Sequence, residues 1–305
     1  MNRFRGSVWL VATLAVLATV VAACGSTSSP GTTSKGTITV AGFNFPESSV
    51  LAQLYGQALA HDGYTINYKL NLGARPVVAP ALQSGQIDIY PGYAASELEY
   101  FNKGAGEATS DPVATTAKLN TYLAAIHADA LTPSPAVDGN AYAVTKATAD
   151  KYNLKTLSDL TPIAGQLVFG AGPECPTYKF CLPGLKTVYG LNFKQTLTLD
   201  TDGPATRAAF KNGSIQVGLV FSTDADLAQL GLVVLQDDKH MIAADNVVAI
   251  VRQSILTDDV KTVLNKVDAG LTTNDLFTMN GQVQLLHQDP DAVASAYLQK
   301  HNYFS

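Results

Sequence analysis

Short apolar segments alternate along the chain with segments whose apolar residues recur at helical spacing. The short segments predict strands at residues 37–41, 64–72, 87–90, 140–145, 167–171, 195–199, 215–221, 233–235 and 247–251. The helical spacing predicts helices at residues 47–62, 76–84, 97–128 with a break at 104–111, 147–152, 203–212, 258–271, 273–284 and 291–301. This alternation predicts an α/β fold whose opening strands are parallel and joined by right-handed crossovers.

Residues 81–96 are the stretch that points to a ligand site. A helical segment ends at a glycine, a short apolar strand follows, and Pro91-Gly92 predicts a sharp turn of the backbone. Such a turn would place Tyr93 and Ser96 just beyond the carboxyl end of the strand, where open α/β sheets bind their ligands. The same residues also suit an ordinary buried strand and loop.

A similar order of helix, glycine and strand returns at residues 208–219. This repetition predicts two similarly wound halves, each of which offers a strand-end loop to a shared cleft. Residues 37–305 are long enough for two domains of roughly 100–200 residues each. Hydrophobic residues make up 47% of the chain, which is enough to give each half a core.

Charge and cysteine content narrow the chemistry further. The net charge is -5 and no basic block is present, which argues against a nucleic-acid partner. Cys175 and Cys181 lie six residues apart in a loop that contains a proline, and in an exported protein this spacing favours a disulfide. A metal site is a weaker alternative because no histidine is near in sequence, and a free redox-active pair is weaker still.

The amino terminus predicts export. Arg3 and Arg5 precede an apolar run at residues 8–21 that ends in Val-Ala-Ala-Cys24, so residues 1–23 are expected to be a signal peptide. The Val-Ala-Ala-Cys sequence resembles a bacterial lipoprotein signal, which implies that Cys24 carries a lipid and becomes the mature terminus. A plain secretory signal with a chance cysteine is the alternative. Residues 24–36 are rich in Ser, Thr, Gly and Pro and are expected to be a flexible tether.

Several segments along nearly the whole mature chain resemble, in order and spacing, the extracellular solute-binding proteins of ABC importers for glycine betaine, choline and carnitine. These segments are Phe43-Asn44-Phe45-Pro46-Glu47, Leu72-Gly73, the loop at Tyr93, Tyr142-Ala143-Val144-Thr145, Leu157-Ser158-Asp159-Leu160, Leu182-Pro183-Gly184-Leu185, Tyr189-Gly190, Ser222-Thr223-Asp224, Leu235-Gln236-Asp237-Asp238-Lys239 and Met279-Asn280.

The resemblance implies a periplasmic-binding-protein fold of the type II kind, with a ligand cleft between two α/β lobes that close by hinge bending. Residues 37–138 and 243–305 are expected to form lobe 1, and residues 139–242 are expected to form lobe 2. The implied role is extracytoplasmic capture of a small solute and its delivery to a membrane permease by a lipid-anchored monomer.

The family pocket holds a quaternary ammonium against aromatic rings and a carboxylate against cationic or hydroxyl groups. The resemblance implies that Tyr93 is one wall of this aromatic box and that Phe221 supplies a second ring. Ser96 keeps a hydroxyl at a position where the family has threonine.

Four other expected binding residues depart from the family pattern. Asn140 and Asp245 stand where further box tyrosines are expected, and Phe43 and Tyr178 stand where a lysine and an arginine are expected. Losing two rings would cost a betaine roughly 0.5–2 kcal/mol for each cation–π contact. The alternative is therefore a neutral hydroxylated or aromatic ligand in a divergent pocket, while choline would still find a counter-ion in Asp245.

Enzymes form the competing class. The sequence has no Gly-x-Ser-x-Gly, no phosphate-binding glycine loop and no His-Glu-x-x-His, and its five histidines show no ligand spacing. We therefore expect no catalysis, no cofactor and no metal. A hydrolase and a surface lipoprotein without a small ligand remain the other interpretations.

Overall fold

Two separate five-stranded sheets organise the part of the chain that the computed structural model describes, residues 34–243 and 245–304. The strands are β1 (Thr37–Ala41), β2 (Thr65–Lys69), β3 (Ile89–Tyr93), β4 (Ala128–Ala130), β5 (Asn140–Thr145), β6 (Val168–Ala171), β7 (Gln195–Thr198), β8 (Val217–Phe221), β9 (Leu232–Leu235) and β10 (Val247–Arg252). The helices are α1 (Pro46–His61), α2 (Arg75–Gln83), α3 (Ala94–Phe101), α4 (Pro112–Leu123), α5 (Lys146–Tyr152), α6 (Leu182–Tyr189), α7 (Pro204–Lys211), α8 (Asp258–Gly270), α9 (Thr273–Gln284) and α10 (Pro290–Lys300).

The two sheets have the same strand arrangement. The first sheet has the order β2-β1-β3-β10-β4 and the second has the order β7-β6-β8-β5-β9. In each sheet four strands run in the same direction, and one strand, β10 or β5, runs antiparallel to both of its neighbours. The predicted parallel opening and the predicted repetition of the two halves are thus confirmed. We refer to the first sheet with α1–α4 and α8–α10 as lobe 1, and to the second sheet with α5–α7 as lobe 2.

Each lobe has its own hydrophobic core. Lobe 1 buries β1, β3 and β10 against α1 and α8, with Tyr55 and Tyr90 among its largest fully buried side chains. Lobe 2 buries Tyr142 and Phe169 beneath the loops and helices that cover one face of its sheet. The chain passes from β4 to β5 on its way into lobe 2 and returns through the segment before β10.

The prediction of a turn at Pro91-Gly92 is wrong, because both residues lie within β3. Ala249 of β10 lies opposite Pro91 of β3. However, the N–H of Ala249 donates to Asp268 and its carbonyl accepts from the N–H of Leu131, both on the side of β10 away from β3. The nitrogen of Pro91 therefore faces β1. The pairing of β3 with β1 ends at Ile89, so no hydrogen bond between strands is lost because proline lacks an N–H.

Gly92 is required by close packing within the sheet and not by a turn. A Cβ atom at this position would lie 2.8 Å from Cγ1 of Ile250 and 3.1 Å from Cγ of Glu97. Tyr93 is consequently the last residue of β3, and α3 begins at Ala94.

One smaller prediction also differs from the structure. The predicted helical region up to residue 128 ends earlier, and Ala128–Ala130 forms the short edge strand β4. The segment Ser158–Leu160 forms a single 3-10 turn.

The predicted signal peptide and the lipid site at Cys24 lie outside the described residues. Ser34, Lys35 and Gly36, the last residues of the expected tether, contact lobe 1: the Lys35 ammonium lies 2.9 Å from Asp62 and 2.8 Å from Asp259. Among the residues that the model describes, no helix has both the length and the apolar character needed to cross a bilayer.

Candidate ligand-binding site

A cavity with an empty volume of about 540 Å³, open mouth included, lies between the two lobes at the ends of their central strands. Its walls include all seven side chains that the sequence predicted for binding, Phe43, Tyr93, Ser96, Asn140, Tyr178, Phe221 and Asp245. They also include Asn44, Phe45, Ala74, Arg75, Asp138, Gly172, Glu174, Cys175, Thr201 and Leu219.

Aromatic rings from both lobes meet at this cavity. Tyr93 and Phe221 end the equivalent strands β3 and β8, and their ring centroids are 6.5 Å apart with the planes only 15° from parallel. Phe45, from the loop between β1 and α1, lies 4.6 Å from Phe221 and 6.2 Å from Tyr93, centroid to centroid. Phe43 stacks on Phe45 at 5.8 Å. The site therefore presents several ring faces and edges to one space.

A chain of hydrogen bonds joins the lobes at one side of the cavity. The backbone N–H of Ser96 donates to Oδ1 of Asp245 at 2.9 Å, and its hydroxyl donates to Oδ2 of the same carboxyl group. The Ser96 hydroxyl also shares a hydrogen bond with the hydroxyl of Tyr178 from lobe 2. Burial raises the pKa of Asp245 to about 6, although the two Ser96 donors oppose that rise.

A second polar cluster lies at the opposite side, around Thr223. Glu47 at the start of α1 accepts hydrogen bonds from Tyr93 Oη at 2.7 Å, from Thr223 Oγ1 at 2.5 Å and from Asn280 Nδ2 at 2.7 Å. Asp138 accepts from the backbone N–H of Thr223 at 3.0 Å. Burial raises the pKa of both carboxyl groups, and the nearby charge of Glu47 raises that of Asp138 further.

Arg75 is the only cationic side chain among the cavity residues. Its Nε donates to Oε1 of Glu97 at 2.8 Å, and its Nη1 donates to Oε1 of Glu174 across the cleft at 3.1 Å. The guanidinium also lies 5.4 Å from the centre of the Phe43 ring. Three carboxyl groups, those of Asp138, Glu174 and Asp245, share the walls with this one cation, which already has two acidic partners.

Several buried polar atoms of the cavity walls have no hydrogen-bond partner. They are Asn44 Oδ1, Asp138 Oδ2, Glu174 Oε2 and Thr201 Oγ1. A buried polar atom without a partner carries a free-energy cost of about 1–3 kcal/mol, and such atoms commonly face a ligand or water. Three of the four atoms are acceptors as carboxylate or amide oxygens, so the walls favour a ligand that is positively charged or donates hydrogen bonds.

The cysteine loop positions the lobe 2 side of the site. Cys175 and Cys181 form the predicted disulfide, with Cα atoms 5.1 Å apart. The loop that it closes carries Tyr178, and Glu174 precedes it directly. The disulfide therefore constrains the segment from which Tyr178 and Glu174 contact lobe 1.

The sequence analysis missed several wall residues, above all Phe45, Arg75, Asp138 and Glu174. Arg75 had a recognisable signal, because it is a lone charge in an otherwise apolar stretch that leads into a predicted helix. Thr201 follows β7 just as Arg75 follows β2, so the repetition of the two halves pointed to both loops. Asp138 and Glu174 had no signal beyond being acidic residues in loops.

The fold and the cleft define the class of the protein as a two-lobed solute-binding protein. The model of the substrate-binding domain of ABC-type glycine betaine transport systems matches residues 36–300, and the chain belongs to this family. It is thus the solute-binding component of an ABC importer of the osmoprotectant class, a family that acts outside the cytoplasm and consists of binding proteins.

Individual relatives agree with this assignment. The carnitine transport binding protein of Listeria monocytogenes is 27% identical over 284 residues, which cover 90% of this chain and 90% of that protein. The glycine betaine-binding protein YehZ of Escherichia coli is 27% identical over 270 residues, which cover 84% of this chain and 88% of that protein. A crystal structure described as a glycine betaine/carnitine/choline ABC transporter has 23% identity and a TM-score of 0.64, and the match covers 88% of this chain and 100% of that one.

Proposed function

We propose that this receptor captures a small organic cation with a quaternary ammonium group, and that it prefers a hydroxyl-bearing cation of the choline type to a short betaine. The observation that carries the proposal is the composition of the cavity between the lobes. Aromatic rings and three carboxyl groups face the same space, and the one cation among them is already paired.

The rings supply the attraction for the ammonium group. A quaternary ammonium cannot donate N–H hydrogen bonds, but it is attracted to the negative faces of Phe45, Tyr93 and Phe221 by roughly 0.5–2 kcal/mol for each well-placed ring. The names of the curated relatives, carnitine and glycine betaine binding proteins, support this class of ligand.

The carboxyl groups discriminate between ligands of this class. A carboxylate close to the ammonium, as in glycine betaine, would face Asp138, Glu174 and Asp245, with only Arg75 to compensate. A hydroxyl group instead donates a hydrogen bond to an acceptor without a partner, such as Asn44 Oδ1. A choline-like cation therefore satisfies the walls better than a short zwitterion does.

A neutral hydroxylated or aromatic compound is the second candidate, and one observation favours it. Burial raises the pKa of Asp245 to about 6 and raises those of Asp138 and Glu174, so ionising these acids is less favourable in the site than in water. A neutral ligand with several hydroxyl groups would bind without requiring those acids to ionise.

We propose the remaining features of the importer role from the same basis. The lobes close over the solute by hinge bending, and the closed, monomeric receptor docks on a permease. Cys24 carries the lipid that holds the receptor at the membrane. The residues around the cavity bind and do not catalyse, so the solute is expected to leave unchanged.

Calorimetric titration of the purified protein with choline, carnitine, glycine betaine and a panel of neutral polyols and phenols tests the ligand. We expect micromolar or tighter binding of choline at pH 7.5, weaker binding of glycine betaine, and recovery of the bound choline unaltered by mass spectrometry. Binding of neutral compounds alone would overturn the proposal in favour of the second candidate.

A further inference from the structure

Glu47, in the first turn of α1, has a buried side chain next to the rings of the ligand site. Only 4% of its surface is exposed, and it is not among the residues that line the ligand cavity. It lines a smaller pocket of about 190 Å³, open mouth included, which shares Phe45 and Phe221 with the ligand cavity. A ligand between the rings therefore has no direct contact with this carboxyl group.

The two oxygens of the Glu47 carboxyl group contact the ends of the two strands that carry rings. Oε1 accepts a hydrogen bond from the hydroxyl of Tyr93 at 2.7 Å. Oε2 accepts one from the hydroxyl of Thr223 at 2.5 Å, and Thr223 follows Phe221, the last residue of β8, by two positions. The third ring, Phe45, precedes Glu47 by two positions. One side chain is thus linked to three rings from both lobes.

Further hydrogen bonds hold the loop that contains Thr223. Nδ2 of Asn280 donates to Oε2 of Glu47 at 2.7 Å and to the carbonyl of Thr223 at 3.0 Å. Asp138 accepts from the N–H of Thr223 and from the hydroxyl of Ser222, both at 3.0 Å. Asp138 lies in the connection from β4 to β5, so this loop is attached where the chain passes between the lobes. Relative motion of the lobes is smallest at such a joint, which makes the loop a fixed reference for Glu47.

The positions of the rings decide which group fits between them. A ring attracts a cation that lies over its face within about 6 Å of its centre. The Tyr93 and Phe221 rings are nearly parallel at 6.5 Å, and Phe45 lies 4.6 Å from Phe221. The hydroxyl is the far end of the Tyr93 side chain, so its hydrogen bond to Glu47 limits how that ring can turn.

We propose that Glu47 is a positioning residue that sets the spacing of the three rings, and thereby the size of the group that the ligand site accepts. The inference rests on the proposed function in taking Phe45, Tyr93 and Phe221 as the walls that face the ligand. It does not require Glu47 to attract the ligand, because this residue acts through its contacts with Tyr93 and Thr223.

Calorimetry with tetramethylammonium and tetraethylammonium measures the size of the accepted group. Glu47→Leu removes the acceptor, so tetramethylammonium affinity should fall at least about threefold and tetraethylammonium affinity should fall less, which lowers the ratio of the two affinities. Glu47→Gln should keep the ratio, because its amide oxygen accepts from Thr223 and Asn280 while its NH₂ group donates to the oxygen of Tyr93. Equal losses in both variants would show that the charge of Glu47 attracts the cation directly.

Tyr93→Phe tests the link between Glu47 and the ring, since it removes the hydroxyl and keeps the ring. It should lower tetramethylammonium affinity in the otherwise unmodified protein and have no further effect in Glu47→Leu. An equal loss in both backgrounds would overturn the inference, because the hydroxyl would then act on the ligand without Glu47.

Thr223→Val replaces Glu47→Leu if that variant does not fold. It removes one donor to Glu47, and it should lower the same affinity ratio although Thr223 does not line the ligand cavity. The matched control is Thr115→Val on α4, which removes the hydroxyl of a buried threonine that donates to the carbonyl of Thr109. Equal ratios in the two threonine variants would overturn the inference.

The outcomes separate this inference from the proposed function. If tetramethylammonium binds and the affinity ratio does not change in Glu47→Leu, the positioning role is wrong and the proposed function stands. If neither choline nor tetramethylammonium binds the unmodified protein, the proposed function is wrong, and fluorine NMR of ligand-free protein labelled with fluorotyrosine tests Glu47. The resonance that Tyr93→Phe removes should shift in Thr223→Val and not in Thr115→Val, and an unchanged resonance in both would overturn the role of Glu47.

Discussion

The guanidinium of Arg75 on α2 of lobe 1 donates to the carboxylate of Glu174 on lobe 2 over 3.1 Å, while it also donates to Glu97 of lobe 1 over 2.8 Å. Only the first of these bonds breaks when the lobes part. The pair with Glu97 keeps the guanidinium in position in either state, because Glu97 is fully buried and also accepts a hydrogen bond from Tyr90.

The variant Glu174→Gln should weaken closure and therefore ligand binding. The glutamine amide oxygen still accepts a hydrogen bond from Arg75, so the variant removes the charge of the pair, and we expect a loss of about 1.5 kcal/mol, roughly tenfold in the affinity for choline. Calorimetry measures that loss, and small-angle scattering measures the fraction of closed protein at a given ligand concentration. The control is Glu107→Gln, which removes the acid of the exposed pair with Lys118 and should leave both quantities unchanged. Unchanged affinity in Glu174→Gln would show that the cross-cleft bond does not contribute to closure.

Replacing the rings should affect cations more than neutral ligands. Phe45→Leu and Phe221→Leu each remove a ring face but keep an apolar side chain, so choline affinity should fall by about 2- to 30-fold for each variant, the equivalent of roughly 0.5–2 kcal/mol. Calorimetry with choline and with its uncharged isostere 3,3-dimethylbutan-1-ol separates the charge effect from apolar contact. Phe169→Leu is the control, since that ring belongs to the core of lobe 2 and does not line the cavity. Equal losses for the charged and uncharged ligands would contradict the cation–π role.

Binding of a cation should depend on pH through Asp245. This carboxyl group has a pKa of about 6 in the free protein, so below that pH it holds a proton that a bound cation would have to displace. We expect choline affinity to fall by up to about tenfold for each pH unit below 6 and to level off above it. Titrations between pH 4.5 and 8 measure this dependence.

The variant Ser96→Ala provides a second readout of the same group. It removes the hydroxyl donor that favours the ionised form, so the midpoint of the affinity profile should move to higher pH. A profile that is flat in the unmodified protein, or that does not move in Ser96→Ala, would show that Asp245 is not the titrating group.

Stability should depend on pH through Asp268, which is buried in lobe 1 and does not line the cavity. Burial raises the pKa of this residue to about 7, although Tyr55 donates a hydrogen bond to it at 2.7 Å. The unfolded chain releases this proton near pH 3.8, whereas the folded protein keeps it up to about pH 7. The free energy of unfolding should therefore fall as pH rises through that range, by at most about 1.4 kcal/mol for each unit, and change no further above it.

Asp268→Asn removes this titration and keeps an acceptor for Tyr55. The difference in free energy of unfolding between Asp268→Asn and the unmodified protein should shift in favour of the variant by about 2 kcal/mol or more from pH 4 to pH 8, as measured by denaturant titration. Asp150→Asn, at an exposed site on α5, should show no such trend. If the difference in free energy of unfolding between Asp268→Asn and the unmodified protein is the same at both pH values, Asp268 is not the titrating group.

The sequence predicted those elements whose signals are local. Residues 37–41, 140–145 and 273–284 were predicted with the bounds that the structure has. The last of these is a helix that begins with a capping box formed by Thr272 and Asp275, a signal that does not depend on the rest of the fold. The edge strand Ala128–Ala130 lacked such a signal, since it is held by its pairing with the distant β10.

Pro91-Gly92 shows how a reliable local rule fails in a tertiary context. The pair usually indicates a turn, but here the proline nitrogen faces a side of β3 that has no partner, and the glycine leaves room for Ile250 and Glu97. Neither condition can be recognised without knowing the order of the strands.

The residues of the candidate site also divide into those that the sequence located and those that only the tertiary structure reveals. The rings at Tyr93 and Phe221 were found because a resemblance located the strand ends. Asp138 and Glu174 were missed because their importance comes from burial against segments far away in sequence, which a pattern of charges does not reveal.

The position of β10 has a consequence for the order in which the protein is completed. This strand, residues 247–252 of a chain of 305, lies inside the lobe 1 sheet, between β3 and the edge strand β4. All strands of lobe 2 precede it in the chain, so lobe 2 has its full set of partners while β3 and β4 still expose unpaired edges. A chain that emerges from its amino terminus must therefore finish its second half before its first, and a nascent lobe 1 needs protection from aggregation until the final helices have followed.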